Sequence, residues 1–289
     1  MEYCQKALEI RQASLPENHP DTAASYSLIG SIYSAKKQYE DALKYHQKAL
    51  EIKEMIFQKD HSAFANSYAD IGNVLKNMQQ YPEALEYLKK SLAIREKIFP
   101  KKHPDFANSY NDLGVLSYDQ KNYPEALEYF KKTLSILKEN YLDRHPLFAQ
   151  IYHNTGNTYH ALKNYPEALK NYWKALELLE RIFPRDHHDI VKNYDKLGNT
   201  YYAQKNYSEA MKCYEKADER KNSSSLEYHL ENAKRFNNMG KIYLATKDKL
   251  NALSCFNKAL KFAKRHLGKN HTVTQEINRN IRAARMLRK

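Results

Sequence analysis

The chain has 289 residues, 42% of them hydrophobic and 28% charged, with a formal net charge of +13 at pH 7. No apolar run approaches the ~20 residues a membrane-spanning helix needs, and Met1-Glu2-Tyr3-Cys4 does not open a signal peptide, so the reading is a cytoplasmic, non-membrane protein. Cys4, Cys213 and Cys255 are odd in number and lack metal-site or CxxC spacing, which points to reduced thiols.

Six of the seven glycines, Gly30, Gly72, Gly114, Gly156, Gly198 and Gly240, recur every 42 residues. A fixed period of that length marks stacked repeats, in which each unit buries its core against its neighbours. Alanine keeps the same register at 42, 84, 126, 168, 210 and 252, placing small residues where two helices touch.

In chain order, residues 1–15 match only the second helix of a unit, because Lys6-Ala7-Leu8 aligns with Lys48-Ala49-Leu50. The chain therefore starts inside a repeat, as a fragment of a longer protein would. Full units follow at 16–57, 58–99, 100–141, 142–183, 184–225 and 226–267, read as a single array over 1–289. The third shows the pattern. Its first helix starts near His103-Pro104-Asp105, where proline suits the first turn and the acid suits the positive end of the dipole. Phe106, Tyr110, Leu113 and Leu116 then form one apolar stripe. A break at Gln120-Lys121-Asn122 leads to a second helix at Tyr123-Pro124-Glu125, whose stripe is Ala126, Leu127, Phe130, Leu134 and Leu137.

No segment alternates as a strand does, so the fold class is all-α. In the fifth unit Asp218 takes a column otherwise filled by Leu50, Leu92, Leu134, Leu176 and Leu260, and Asn222-Ser223-Ser224-Ser225 follows. The second helix there should end early, before a loop that is a candidate hinge. Trp173 aligns with polar residues and should be exposed on the convex side. Residues 268–289 read as a C-terminal cap, with Arg282 in the glycine column.

The excess charge is uneven: residues 219–289 hold 17 Lys and Arg against 5 Asp and Glu, and residues 1–218 hold 30 against 29. Either this basic pole is a solvated cap, or it docks an acidic partner. Few aromatics interleave with these charges, which counts against nucleic-acid binding.

Nothing reads as catalytic, and no cofactor or metal is expected. The histidines at 19, 61, 103, 145, 187, 229 and 271 each fall at a helix start, one repeat from the next, and suit turns better than a shared ion. His187-His188-Asp189 is denser but replaces the His-Pro-Asp turn of other units. There is no phosphate loop, nucleophile elbow or HExxH motif.

Tyr110, Leu113, Gly114, Tyr123, Ala126, Phe130 and Thr133 fall at the spacings of the tetratricopeptide signature, as do Tyr26, Ile29, Gly30, Tyr33, Tyr39, Ala42 and Ala49. The chain resembles that family, and its 42-residue unit resembles the kinesin light chain and nephrocystin-like branch. The resemblance implies a right-handed superhelix whose concave groove is lined by the first helix of each pair. Taking the glycine as position 8, the groove-facing positions are 2, 5, 6, 9 and 12.

The candidate groove residues are Asn73 in unit two, Asn108, Asn111 and Tyr118 in unit three, and Gln150, His153, Asn154 and Asn157 in unit four. Lys192, Lys196, Asn199 and Tyr202 follow in unit five, then Lys234, Asn237, Asn238 and Lys241 in unit six. Asparagines both donate and accept, so they can hold a peptide backbone, while lysines attract carboxylates. In the kinesin light chain branch a lysine at position 2 and asparagines at position 6 contact peptide. Lys234, Asn238 and Asn154 match that pattern, whereas Asp70 and Asp112 depart from it. A carboxylate clamp is half present in Asn111, Val115, Asn154, Lys192 and Lys196. The implied function is a non-catalytic scaffold for an acidic peptide, with an accessory or self-associating array of a larger protein as the alternative.

Overall fold

The structure is a computed structural model that describes residues 1–58, 61–141, 145–219 and 226–286, the side chains of 226–228 excepted. These residues form fourteen helices and no strand. The chain divides into two compact units, Met1–Leu142 and Asp143–Lys289. In the first, a lone helix α1 (Glu2–Ser14) precedes three pairs: α2 (Pro20–Ala35) with α3 (Tyr39–Ile56), α4 (Ser62–Asn77) with α5 (Tyr81–Ile98), and α6 (Asp105–Asp119) with α7 (Tyr123–Asn140). In the second, α8 (Pro146–Ala161) pairs with α9 (Tyr165–Ile182), α10 (His188–Ala203) with α11 (Tyr207–Asp218), and α12 (Leu226–Ala245) with α13 (Lys249–His266). Helix α14 (Thr272–Met286) closes this unit, burying Ile277, Ile281 and Ala284.

Each pair is clamped at the glycine. A Cβ built on Gly114 would lie 2.6 Å from the Phe130 ring, and one on Gly198 would lie 2.5 Å from the Tyr214 ring. Only a residue without a side chain lets the second helix's side chain, a ring in every pair but α4–α5, where it is Leu88, lie against the first helix's backbone. The alanine column is the second contact, with Ala42, Ala84, Ala126, Ala168, Ala210 and Ala252 all fully buried.

The histidine column caps helices. Nδ1 of His19, His61, His103, His145, His187 and His271 accepts the backbone N–H two residues on, at 3.1 to 3.4 Å. This satisfies one of the orphan donors of a helix N-terminus. His229 departs from the column: α12 begins at Leu226, so His229 lies inside the helix, its ring stacked 3.4 Å from that of His266.

The turn inside each pair carries a device the sequence reading missed. Lys37, Gln79, Lys121, Lys163, Lys205 and Lys247 all adopt φ between 59° and 64°. In each turn the next residue's N–H reaches back to close the helix end, as from Gln38 to Tyr33 O at 3.0 Å. The early stop at Asp218 occurs as expected: α11 has 12 residues where α9 and α13 have 18. The serine-rich loop expected at 222–225 lies outside the described residues.

Candidate peptide-binding face

The face defined by positions 2, 5, 6, 9 and 12 differs between the two units. In the first it is carried by α2, α4 and α6, is uncharged on α2, has Asp70 and Asp112 as its acids, and is held by its own network. Arg95 reaches from α5 to donate to Asn66 Oδ1 at 2.8 Å and to the Ser109 hydroxyl. Burial pushes the Asp70 carboxyl up to about 6, with Lys53 opposing and Asp112 adding to the shift. Burial likewise raises Asp112, against a hydrogen bond from Asn73. His46 is buried with its Nδ1 3.9 Å from Asp70, and burial, helped by Lys53, lowers its pKa to about 4. Of the residues proposed for this stretch, Asn108 is exposed, Asn111 is buried, and Tyr118 is half-buried beside Tyr123.

In the second unit α8, α10 and α12 present amides and cations. The Tyr172 hydroxyl donates to Asn157 Oδ1 at 2.9 Å, and the Tyr214 hydroxyl donates to Asn199 Oδ1 at 2.7 Å. These tyrosines are the residues clamped on Gly156 and Gly198, so the glycine contact also aims the asparagines. Their carbonyls are thus used inward, and no acceptor for the Asn157 and Asn199 amide N–H groups is found among the described residues. Asn238 donates to Asn199 at 2.9 Å and extends this row onto α12. Lys192 and Lys234 are exposed, Lys234 pairing with Glu231 at 3.0 Å. Burial lowers the Lys196 ammonium, which has no hydrogen-bond or ion-pair partner among the described residues.

The remaining candidates sit as follows. Gln150 is exposed, and Asn154 and Tyr202 are half-buried, Tyr202 lying 5.9 Å from Tyr207. His153 turns inward to Asn193 at 3.2 Å and lies edge-on to Tyr172; burial lowers its pKa to about 4. Two candidates are taken up by α14: Asn237 donates to Glu276 at 3.0 Å, and Lys241 pairs with Glu276 at 2.5 Å. Asn237 is 3% exposed and cannot meet a peptide. Asp195, expected at position 5 of this face, is instead buried, accepting two bonds from Arg235 at 2.6 and 2.8 Å.

His187, His188 and Asp189 bring three potential ligand atoms within 4.8 Å of one another. His187 Nδ1 is committed to its cap. Sequence reasoning also passed over a row of lysines at 48, 90, 132, 174, 216 and 258, each placed 5.2 to 5.6 Å from an aromatic ring centroid. The 42-residue spacing of these lysines was the available signal.

The fold is shared with several solved structures. BtubC (BKLC) from P. vanneervenii aligns over 82% of this chain and 92% of its own, at 18% identity and a TM-score of 0.66. The nearly identical TPR-like repeats of a kinesin light chain candidate from Podosopora anserina cover 70% of this chain and 96% of theirs, at 19% identity and a TM-score of 0.58. A Signal Transduction ATPase with Numerous Domains from Pyrococcus horikoshii, which carries a tetratricopeptide repeat sensor, covers 91% of this chain. That alignment spans 38% of the archaeal chain, at 19% identity and a TM-score of 0.71. No curated protein matches in sequence. Tetratricopeptide repeat family models match residues 2–55, 63–139, 147–223 and 233–266. With the glycine clamps, capped pairs and 42-residue period behind those matches, the chain belongs to the tetratricopeptide repeat family.

Proposed function

We propose that this protein is a non-catalytic interaction scaffold that binds an extended acidic peptide on the α8–α10–α12 face. The observation that carries the reading is the pairing of cations with oriented donors. Lys192, Lys196 and Lys234 offer positive charge, while Asn157 and Asn199 have their oxygens engaged by tyrosine and their N–H groups available. Such a surface favours carboxylates and backbone carbonyls over cations. The Lys196 ammonium, partly desolvated and without a hydrogen bond or close ion pair among the described residues, gains the most from a bound carboxylate.

A peptide of glutamates around one aromatic anchor, titrated calorimetrically beside its glutamine analogue, tests this. The acidic peptide should bind more tightly and lose affinity with salt, because charges at an exposed face are screened over about 8 Å at physiological ionic strength. Joint replacement of Lys192, Lys196 and Lys234 by glutamate should abolish binding while leaving the circular dichroism unchanged. Equal binding by the reversed variant would refute the reading. The sensor architecture of the archaeal ATPase supports a second reading, in which such an array serves as an accessory domain of a larger protein.

A further inference from the structure

The helices that close the second unit carry a charge imbalance that the α8–α10–α12 face does not use. Residues 249–289 contain eleven Lys and Arg against one acid, Glu276. That acid is already taken, by Lys241 at 2.5 Å and by Asn237 at 3.0 Å. Helix α14 packs on α13, and the pair exposes Lys258, Lys261, Lys264 and Arg265 on α13, Lys269 in the turn between them, and Arg279, Arg282 and Arg285 on α14. None of these eight side chains makes an ion pair among the described residues.

Helix stability accounts for only part of this pattern. Lys264 and Arg265 stand in the last turn of α13 and Arg285 in that of α14, where a cation meets the negative end of the helix dipole. Lys258, Lys261, Arg279 and Arg282 lie outside those turns and gain nothing from it. Lys258, Lys261 and Lys264 follow at three-residue steps, as do Arg279, Arg282 and Arg285, and like charges so placed on a helix repel. The two helices therefore hold a repulsion that no acid among the described residues relieves.

The free side of α14 suits charge better than a further helix. In the full pairs the first helix offers glycine to its second helix, and a carbon added there would fall 2.5 to 2.9 Å from the facing side chain. Helix α14 has Arg282 in that column. An arginine bars the close packing that a second helix of the repeat type needs, which rules out the lone α1 of a second copy as the occupant. The excess is cationic, so the complement is anionic. Among the described residues α13 and α14 expose no aromatic side chain on which bases could stack, and this favours carboxylates over nucleotides.

We propose that the α13–α14 pole is a second docking surface, taking a segment of a partner protein rich in aspartate and glutamate and needing no apolar anchor. Its carboxylates pair with the exposed cations, the arginines by two parallel bonds each, and binding relieves the repulsion along both helices. The surface acts independently of the α8–α10–α12 face.

The test uses the full chain and a fluorescein-labelled decamer of glutamate, followed by anisotropy at about 0.15 M salt. Binding is measured on the parent and on the variant with Lys192, Lys196 and Lys234 reversed to glutamate, where affinity should stay within about threefold, so that failure of the groove reading leaves this result untouched. Joint Lys258→Gln, Lys261→Gln, Lys264→Gln, Arg279→Gln and Arg282→Gln, all at exposed positions, should weaken binding at least about tenfold with unchanged circular dichroism. Glutamine at Lys36, Lys44, Lys89, Lys101 and Lys131, exposed lysines of the first unit, removes the same charge and should cost less than about threefold. The decamer should raise the melting temperature of the parent and leave that of the pole variant unmoved. Absence of binding to the parent, loss on the Lys192 set, equal loss with the two glutamine sets, or an equal thermal shift in the pole variant overturns the proposal. A thymidine decamer bound more tightly than the glutamate decamer also overturns it, making a phosphate backbone the occupant.

Discussion

Replacing Gly114 by leucine tests the clamp that defines each pair. The first added carbon would lie 2.6 and 2.9 Å from two atoms of the Phe130 ring. Carbon atoms rest about 3.5 to 4.0 Å apart, so the ring must retreat by about 1 Å before the rest of the side chain is placed. It has nowhere to go, because Phe130 is 1% exposed and Leu113 and Leu116 beside the glycine are as deeply buried. Overpacking of this kind costs about 1 to 3 kcal/mol, and a full leucine belongs at the upper end. Relief from glycine in a helix interior returns about 1 kcal/mol, leaving a net loss near 2 kcal/mol. Urea unfolding followed by circular dichroism reads the loss. The diagnostic is a double-mutant cycle with Phe130→Ala: alone it should cost about 3 to 5 kcal/mol, and combined with Gly114→Leu clearly less than the two added together. Additive costs, or an unchanged midpoint for Gly114→Leu, would refute the clamp.

Two further outcomes follow from groups described above. Because burial lowers His46 to about 4, the unfolded chain takes up a proton near pH 6.5 that the native chain resists, so His46 withdraws stability as pH falls from 6.5 towards 4. Asp70, raised to about 6, acts in the opposite sense and withdraws stability as pH rises from about 4 to 6. Substituting His46→Leu should therefore flatten the acid loss between pH 6.5 and 4 in thermal melts, and an unaltered pH profile would contradict the assignment. Glu276→Ala should release Lys241 and enhance acidic-peptide binding severalfold in calorimetry, the Glu276 carboxylate being a built-in competitor for that lysine; no gain would show that Lys241 lies outside the binding face.

The helical pairs were legible because their constraints recur at fixed positions. Gly114, Ala126 and His103 each report a local need, and a local need repeats with the period. Asp218 announced the short α11 for the same reason, a polar residue in an apolar column. The face was read less completely, since its state depends on partners distant in sequence. Whether Asn157 offers its oxygen or its amide is set by Tyr172, whose column repeats tyrosine at Tyr214 and holds His46, Leu88, Phe130 and Phe256 elsewhere. That Asn237 and Lys241 are occupied depends on Glu276, which lies on the cap rather than in the column. His229 was misplaced because the start of α12 at Leu226 carries no His-Pro turn of the kind seen at residues 103–104.

The glycine clamp joins residues only sixteen apart, Gly114 to Phe130 and Gly198 to Tyr214, across a turn whose hydrogen bonds are wholly local. Each helical hairpin can therefore close its own contact before any neighbour arrives, and the entropy cost of closing so short a loop is small. Chains dominated by such short-range contacts fold on microsecond to millisecond timescales. A ribosome releasing this chain would thus deliver finished hairpins one after another, each able to stack on the one before it within its unit, with no long stretch of apolar surface waiting for a distant partner.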